Sequence, residues 1–491
     1  MSEPIPKVVD TPQSRFRFGM ARADITPPVG IYHRMWGAAT HDRSEGVHRP
    51  LLATACVFAP LDVRNDDEGW LLVALDHCLL WNDTVEEIRA VIAAATGWDG
   101  NRIVLTFSHT HGAGLMDPGR KDLPGGDRIA PYLSELADTL ARLAVEAIRD
   151  LRVVDAVHGT GHCELAAHRD WFDGESGMWV CGYHPKRSDQ MADGAVLTTR
   201  LTLPDGELRA TVVNYGCHPT SLAWENRLIS PDYPGAMREL VERETGAPCL
   251  FLLSPCGDVG PREGYAGDAS VADANGRELG YAALSTLAAL PRAGTRYVYR
   301  GPVLSGATLA DWRHEPAPSE ERAKFETFVR RRLVVPLPYR GDRPRLDDLI
   351  AERTARLTDE AAARERGDER GARDARALVE RLTRAISRWK ACPPGESFPC
   401  VVHLLRTGDA VWITLEGEPY QALQTGLRRR FPQAALIFAV IADGWRCAYL
   451  PTLEAYEHPG LYQVEVAMLA AGCLETLKEQ VGEAIAEMLE G

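Results

Sequence analysis

The stretch WLLVALDHCLLWNDTVEEIRAVIAAATGWDGNRIVLTFSHTHGAG (residues 70–114) decides how we expect the chain to fold. It opens with an apolar run of strand length, continues with apolar residues at helical spacing, and reaches a second apolar run at RIVLTF (102–107). Asn82 or Asp83 is a candidate helix cap and Gly97 a candidate stop. This order predicts a βαβ unit, whose crossover is nearly always right-handed.

The same pattern occurs twice more along the chain. One copy runs from ATVVNYG (210–216) through PGAMRELVERETG to CLFLLS (249–254), and the other from AVWITL (410–415) through PYQALQTGLRRRF to ALIFAVIAD (435–443). Continuous apolarity is typical of strands buried on both faces, and we expect helices to cover those faces. The sequence therefore predicts an α/β fold with mixed β-sheets flanked by helices.

Residues 317–390 differ in composition, being rich in charged residues and alanine. The apolar residues that keep a helical stripe there are Leu349, Leu357, Leu378, Leu382, Ile386 and Trp389. With a turn signal at Gly367 and Gly371, they predict a helical hairpin inserted into an α/β domain formed by 1–316 and 391–491. A solvated arm is the favoured role for such charged helices, and a lid or a dimerisation element is the alternative.

Composition restricts the partners and the location. The 491 residues carry a formal charge of −14, which argues against nucleic acid or an anionic membrane as a partner and favours a small molecule. No apolar run of about 18 residues predicts a transmembrane segment, and the first residues lack a signal-like stretch, so we expect a cytoplasmic protein. The eleven cysteines form no CxxC pair and are expected to be free thiols. The oligomeric state is not indicated.

Polar residues follow the predicted strands, where ligands collect in open α/β sheets. They are His109, His111, His218, Cys256, Asp258, Glu416 and Glu418. Two histidines with a carboxylate form a zinc set of metallohydrolases, in which an open position holds a water of lowered pKa. A lone HxH pair more often caps a strand, so the metal hypothesis depends on the third histidine. Asp76 either orients an imidazole or caps the next loop, and a structural turn is favoured for Asp258.

The chain resembles the catalytic domain of the neutral (alkaline, non-lysosomal) ceramidases. The matching pieces, in the family's order, are FGMARADITPPVG, LTFSHTHGAG, VVNYGCHPTSLAWENRLISPDYPG, LLSPCGDVGP, LEGEPYQALQTGLR and CAYLPTLEAY. The resemblance implies a zinc-dependent amidase with a mixed α/β fold. The positions that match the family's zinc ligands are His109, His218, Glu418 and Tyr449. Glu416 and Tyr456 are the rivals for the last two.

The resemblance also implies roles around the metal. His111 would lie beside the substrate carbonyl and Arg169 near the substrate, so that His111, Arg169 and Tyr449 are the candidate catalytic residues. Trp171, Trp179 and Trp224 lie near the motifs and either line an apolar pocket or belong to the core, the core being favoured.

One motif departs from the family. The ceramidases have a serine of assigned catalytic role in GDVSPN, and here GDVGPR places Gly260 at that position. Glycine has no side chain that can attack or donate a hydrogen bond. We therefore expect Zn²⁺-activated water to cleave an amide bond of a small or lipid-like acyl substrate. An esterase, lactonase or deacetylase with the same site, or a metal-stabilised binding protein without activity, is the alternative.

Overall fold

The structure is a computed structural model that describes residues 6–62, 64, 68–186 and 191–490. In this part of the chain the first strands are β1 (Val8–Val9), β2 (Gln13–Asp24), β3 (Gly46–Val47), β4 (Leu52–Ala59), β5 (Trp70–Leu75), β6 (Ile103–Phe107), β7 (Arg152–His162), β8 (Ala166–His168), β9 (Asp170–Asp173), β10 (Met178–Cys181), β11 (Ala195–Thr202) and β12 (Leu208–Tyr215). They are followed by β13 (Leu228–Ile229), β14 (Cys249–Leu253), β15 (Val259–Pro261), β16 (Thr295–Ser305), β17 (Ala307–Pro316), β18 (Phe328–Pro338), β19 (Ser397–Thr407), β20 (Ala410–Leu415), β21 (Glu418–Pro419), β22 (Ala435–Ala439) and β23 (Tyr449–Leu450). The α-helices are α1 (Asn82–Thr96), α2 (Ile129–Arg149), α3 (Tyr233–Thr245), α4 (Ala269–Ala289), α5 (Ser319–Phe325), α6 (Leu346–Glu365), α7 (Glu369–Ala391), α8 (Ala422–Arg430), α9 (Tyr462–Val466) and α10 (Cys473–Glu490).

All three predicted βαβ units are present. β5 and β6 pair in parallel across α1, β12 and β14 across α3, and β20 and β22 across α8. The first two units lie in an eight-stranded mixed sheet of order β14-β12-β11-β7-β2-β4-β5-β6, and the third lies in a four-stranded sheet of order β18-β19-β20-β22. The predicted α/β fold with mixed sheets is therefore confirmed.

The two sheets pack face to face, which corrects the expectation that helices cover both faces of the strands. An apolar core lies between the sheets, where the rings of Phe58 and Trp412 are 4.8 Å apart. Helices α1 to α4 pack on the other face of the large sheet, and α8 and α10 on the other face of the small one. Continuous apolarity reports that both faces of a strand are buried, but it does not distinguish a covering sheet from a covering helix.

The large sheet is so strongly coiled that its opposite edges approach each other. Cα atoms of edge strand β14 lie within 8 Å of Cα atoms in β5 and β6 at the other edge. The turn 440–443, which follows β22, joins the two edges. The amide of Val440 donates to Leu253 of β14 (3.0 Å), and the amide of Asp443 donates to Leu105 of β6 (2.7 Å). The carboxyl ends of three separate βαβ units consequently meet at one place.

The helical hairpin differs from its predicted bounds of 317–390. It consists of α6 and α7 and spans 346–391, whereas Phe328–Pro338 forms strand β18 of the small sheet and pairs with β19. Of the predicted stripe, Leu382, Ile386 and Trp389 are buried, but Leu357 and Leu378 are exposed. The charged composition of 317–345 obscured a strand that is half exposed at the edge of its sheet. The division of the chain into domains stays a prediction.

Two further expectations concern cysteine and membrane segments. All eleven cysteines lie among the described residues and are free thiols, as predicted. In the described ranges no helix combines the length and the apolarity that crossing a membrane requires.

Candidate metal centre

His109 stands at the carboxyl end of β6 in a strained backbone conformation. Its φ of 64° is left-handed, a region that costs about 1–3 kcal/mol for a residue other than glycine. Its amide donates to the carbonyl of His77 (2.9 Å), which continues the pairing of β6 with the chain after β5. This bend turns the imidazole inward, toward the ends of the other parallel strands.

His109, His218 and Glu418 converge on one point. The Nε2 atoms of His109 and His218 are 3.2 Å apart. Oε2 of Glu418 lies 3.0 Å from Nε2 of His218 and 3.4 Å from Nε2 of His109. All three side chains are at most 2% exposed. Of the sequence-predicted ligands, these three are therefore brought together in a buried cluster.

The hydrogen bonds behind the two imidazoles fix their tautomers. Nδ1 of His109 lies 2.7 Å from the carbonyl oxygen of Cys78, and Nδ1 of His218 lies 2.8 Å from that of Cys256. A carbonyl oxygen only accepts, so both Nδ1 atoms carry the proton and both Nε2 atoms present a lone pair. Carbonyls that orient the ligating histidines in this way are typical of metal sites.

The cluster consists of acceptors that need a cation between them. Two lone pairs and a carboxylate oxygen face one another within 3.4 Å. Among the described residues Oε2 of Glu418 is a buried atom with no hydrogen-bond donor. Two imidazole nitrogens and one carboxylate oxygen are ligands that Zn²⁺ accepts, so the residues present fit a zinc ion.

Electrostatics favour an anionic Glu418 and a neutral His218. Burial would lower the pKa of His109, but Cys78 and Glu418 outweigh it and raise that pKa well above its ordinary value, so a proton competes with a metal ion for the lone pair on its Nε2. Burial would raise the pKa of Glu418, but His109 and His218 outweigh it and hold that pKa well below the ordinary value. Burial lowers the pKa of His218 to about 4, and burial with the two neighbouring imidazoles lowers the pKa of His111 well below its ordinary value. At neutral pH Glu418 is an anion, while His111 and His218 are neutral.

Glu418 and Tyr449 stand side by side because β21 and β23 pair in parallel with these two residues in register. The rival residues lie elsewhere. Glu416 accepts hydrogen bonds from Arg446, including one of 3.0 Å from Nη2, and the hydroxyl of Tyr456 donates to Leu469 (2.8 Å). Glu418 and Tyr449, rather than Glu416 and Tyr456, therefore lie beside the cluster of histidines.

Tyr449 and Arg169 form the wall beside the cluster. The ring of Tyr449 stacks on His218 with a centroid distance of 6.3 Å. Nη2 of Arg169 donates to the hydroxyl of Tyr449 (3.3 Å) and to the carbonyl of Gly257 (2.9 Å). Arg169 therefore fixes the phenol hydroxyl at the edge of the site.

His111 is the third imidazole of the site. Its Nε2 lies 3.4 Å from Nε2 of His109, and its ring lies 5.1 Å from the ring of Trp36. The side chain lines a cavity of about 360 Å³, together with Arg169, His218 and Tyr449. His111 thus faces both the cluster and the space where a substrate would lie.

Two predicted supporting carboxylates lie outside the cluster. Asp76 accepts from Nη2 of Arg238 on α3 (2.5 Å) and from the amide of Leu52 (2.9 Å), so the prediction that it orients an imidazole is wrong. Asp258 accepts from the amide of Gln421 (2.7 Å) and lies 3.2 Å from His168, so it has a structural role through a distant segment rather than through the local turn that was favoured. The backbone carbonyls of Cys78 and Cys256 orient the histidines instead.

Gly260 borders the cavity. A Cβ at this position would lie 3.5 Å from Cδ of Arg169 and 3.8 Å from Oγ1 of Thr220, which are ordinary contact distances. The Thr220 hydroxyl lines the cavity and is a buried oxygen with no hydrogen-bond partner in the described ranges. The position where the ceramidases have a serine therefore has room for one, next to a hydroxyl that the chain does supply.

Several residues of the cavity were not predicted from the sequence. Trp224 lines it, as one alternative held, but Trp171 and Trp179 do not. Trp36, Tyr265 and Tyr462 are aromatic residues of the cavity wall that were not predicted. The residues that α7 contributes are Ala377, Glu380, Arg381, Arg384 and Arg388. The favoured role of the hairpin as a solvated arm is therefore wrong for α7. No local motif marks these residues, because charged positions at helical spacing are typical of a solvated face.

Comparison with known proteins bears on the fold. No family model matches the sequence, and no curated protein matches it. A ceramidase complexed with C2 has a TM-score of 0.62 and 14% identity, with 96% of this chain and 74% of that chain covered. The chain has the fold of a ceramidase. The neutral ceramidase from Pseudomonas aeruginosa agrees, with a TM-score of 0.60, 16% identity and the same two coverages. The resemblance inferred from the motifs is confirmed at the level of the fold.

Proposed function

We propose that the protein is a zinc-dependent hydrolase that cleaves an amide bond of a small or lipid-like acyl substrate. The observation that carries the proposal is the buried set of three candidate ligand atoms on His109, His218 and Glu418, all within 3.4 Å of one another. The likeness to solved ceramidases supports the choice of an acyl amide, the type of bond that a ceramidase cleaves.

Each residue of the site would have a separate role in the reaction. His109, His218 and Glu418 would hold the ion, with Tyr449 as the fourth ligand that the resemblance implies. When bound, zinc supplies a Lewis acid that polarises a carbonyl and lowers the pKa of a nearby water. Nε2 of His111, which is neutral at neutral pH, would accept the proton of the attacking water and return it to the departing nitrogen.

The buried side chains also prepare the site for the reaction. Arg169 holds the Tyr449 hydroxyl, so that this O–H can donate to the oxygen on which negative charge develops. Gly260 provides no nucleophile, and a covalent acyl intermediate at that position is not part of the proposal. Esters and lactones contain the same electrophilic carbon, so only their rates of cleavage separate an amidase from an esterase.

The test combines metal removal with a substrate panel. Protein stripped by a chelator and reloaded with zinc should cleave acyl amides faster than matched esters and lactones, relative to their uncatalysed rates, and should be inactive without metal. His168→Ala, at a half-exposed histidine outside the cluster, is the control and should keep its activity. Zinc-loaded protein that cleaves no member of the panel would instead indicate a metal-stabilised binding protein.

A further inference from the structure

Helix α7 presents one polar face to the cavity beside the metal centre. Ala377, Arg381, Arg384 and Arg388 line the cavity at intervals of three or four residues, which places them on one side of the helix. The helix is held closely against the loop that contains Met35 and Gly37. A Cβ at Gly37 would lie 2.9 Å from Cα of Ala377, and Arg384 donates a hydrogen bond to the carbonyl of Met35.

Two charges on this face are neutralised within the protein. Glu380 lies 2.8 Å from Nη1 of Arg120 and 3.1 Å from Nη2 of Arg376. Arg381 lies 2.6 Å from Glu465, and its side chain is half exposed. Neither of them leaves an unbalanced charge in the cavity.

Arg388 has no such partner. It is 6% exposed, and within the described ranges no carboxylate and no hydrogen-bond acceptor is paired with its guanidinium, which stacks on the ring of Trp445 at 5.0 Å. Burial lowers its pKa to about 10. Arg384, one turn away, donates to a backbone carbonyl and, against the effect of burial, lowers the pKa of Glu380 together with Arg120, but no carboxylate lies within ion-pair distance of it in the described part of the chain. Buried charges are normally paired, so a cation of this kind needs an anion from elsewhere.

Arg169 adds a third guanidinium to the same cavity. It is 5% exposed, and its side-chain hydrogen-bond partners among the described residues are both uncharged, the carbonyl of Gly257 and the hydroxyl of Tyr449. The aromatic side chains of Trp36, Trp224 and Tyr265 provide apolar surface in the same space, with ring centroids 5.7 to 6.3 Å apart. The cavity thus offers apolar contact together with positive charge next to the metal centre.

We propose that the cavity selects an acyl substrate that carries an anionic group, a carboxylate or a phosphate, and that Arg388 and Arg384 of α7 bind this group. The planar fork of a guanidinium matches the oxygens of either anion. The inference rests on the proposed function and narrows its substrate class. It also assigns an anion-binding role to α7, so removal of the hairpin should abolish anion binding.

The experiment measures binding by calorimetry with the zinc-loaded full chain. Three ligands share one acyl chain: an N-acylglycine, a phosphate ester of an N-acylethanolamine, and the neutral N-acylethanolamine. At least one anionic ligand should bind at least about tenfold more tightly than the neutral one. Arg388→Gln should abolish this preference, because it should weaken binding of the anionic ligand much more than binding of the neutral one. Equal affinities in the unmodified protein would overturn the proposal, and so would a preference that survives both Arg388→Gln and Arg384→Gln.

Matched variants separate recognition from folding. Arg370→Gln removes a positive charge from the exposed side of the same helix and should keep the full preference. Arg388→Lys should retain part of it. If Arg388→Gln unfolds, Arg384→Gln and the comparison of ligands in the unmodified protein decide the question.

The outcome is distinguishable from a failure of the proposed function. Tight binding of the anionic ligand without its cleavage would support the anion site and contradict the hydrolase. Cleavage of neutral amides with the same kcat/KM as anionic ones would support the hydrolase and contradict the anion site.

Discussion

The Nε2 atoms of His109 and His218 lie 3.2 Å apart, although 109 residues separate the two histidines along the chain. With their protons on Nδ1, two lone pairs and a carboxylate oxygen face one another in a buried cluster. A cation among the three atoms, either a metal ion or a proton, relieves their repulsion. The first predictions concern that cation.

His109→Ala and His218→Ala should each abolish zinc binding and activity together. Either change leaves two of the three clustered ligands, so we expect zinc affinity to fall by more than about 100-fold. Elemental analysis of zinc per chain, with His168→Ala as the control, checks the result. Full metal occupancy in both variants would mean that these histidines are not ligands.

Glu418→Gln and Glu416→Gln should have opposite effects. The first should lose zinc, because an amide oxygen carries no charge to balance the ion. The second should keep zinc but lower the free energy of unfolding by about 3 kcal/mol, since it leaves Arg446 without its buried partner. Zinc analysis and urea unfolding on both variants test the assignment, and loss of zinc from Glu416→Gln alone would reverse it.

Tyr449→Phe should reduce activity more than metal content. Three ligands remain, but the hydroxyl that Arg169 holds is lost. We expect kcat to fall by about 100-fold, as for the loss of one preorganised donor, while zinc per chain stays near one. A parallel loss of zinc and activity would show instead that the phenol mainly binds the ion.

Gly260→Ser should be tolerated. The nearest atoms to the new Cβ are 3.5 Å away, and a residue with fewer unfolded conformations should raise the free energy of unfolding by about 0.4–1 kcal/mol. Gly276→Ser is the contrasting variant, because a Cβ there would lie 2.5 Å from the carbonyl of Tyr233. It should lower the free energy of unfolding by about 1–3 kcal/mol. Urea unfolding of both checks the prediction, and similar losses would contradict it.

The protein should lose stability as the pH falls below 6.5, in part through His158. This buried histidine hydrogen-bonds Ser14 and Thr199, and burial lowers its pKa to about 3. A folded pKa below the unfolded value of 6.5 means that the stabilisation is complete above pH 6.5 and is lost as the pH falls toward 3. Protonation of His158 accounts for a loss of about 2 kcal/mol in the free energy of unfolding between pH 7 and pH 5.

His158→Gln tests this dependence. The variant should be less stable at pH 7 but should show a shallower decline toward pH 5, measured by urea unfolding at several pH values. An unchanged slope would show that the pKa of His158 is the same in the folded and the unfolded protein.

The sequence was informative where chemistry and periodicity are local. Each βαβ unit carries its own apolar runs, helix and turn, so the three units could be predicted. The strand-end rule placed His109, His218 and Glu418 among the residues expected at one edge, and the resemblance to the ceramidases favoured Glu418 over Glu416. The face-to-face packing of the sheets could not be predicted, because a strand buried by a sheet has the same apolar pattern as one buried by a helix.

The residues of α7 that line the cavity could not be predicted from the sequence, for a different reason. Arg384 and Arg388 lie on a helix whose charge pattern is typical of solvated surface, and their burial depends on the loop at Met35, almost 350 residues earlier in the chain. The role of Asp76 was misassigned because its partner, Arg238, lies on a helix that is distant in sequence. Pairings over such separations leave no periodic signal in one sequence.

The turn 440–443 ties the two edges of the large sheet, through bonds such as that between Leu105 and Asp443, which are 338 residues apart. Closure over such a separation is entropically slow, so it belongs to the final stage of folding. A nascent polypeptide released from the ribosome only as far as α7 contains both histidines and the arginines, but neither Glu418 nor this tie. Synthesis must therefore be nearly finished before the three proposed ligands can come together, and a truncated fragment has no assembled site.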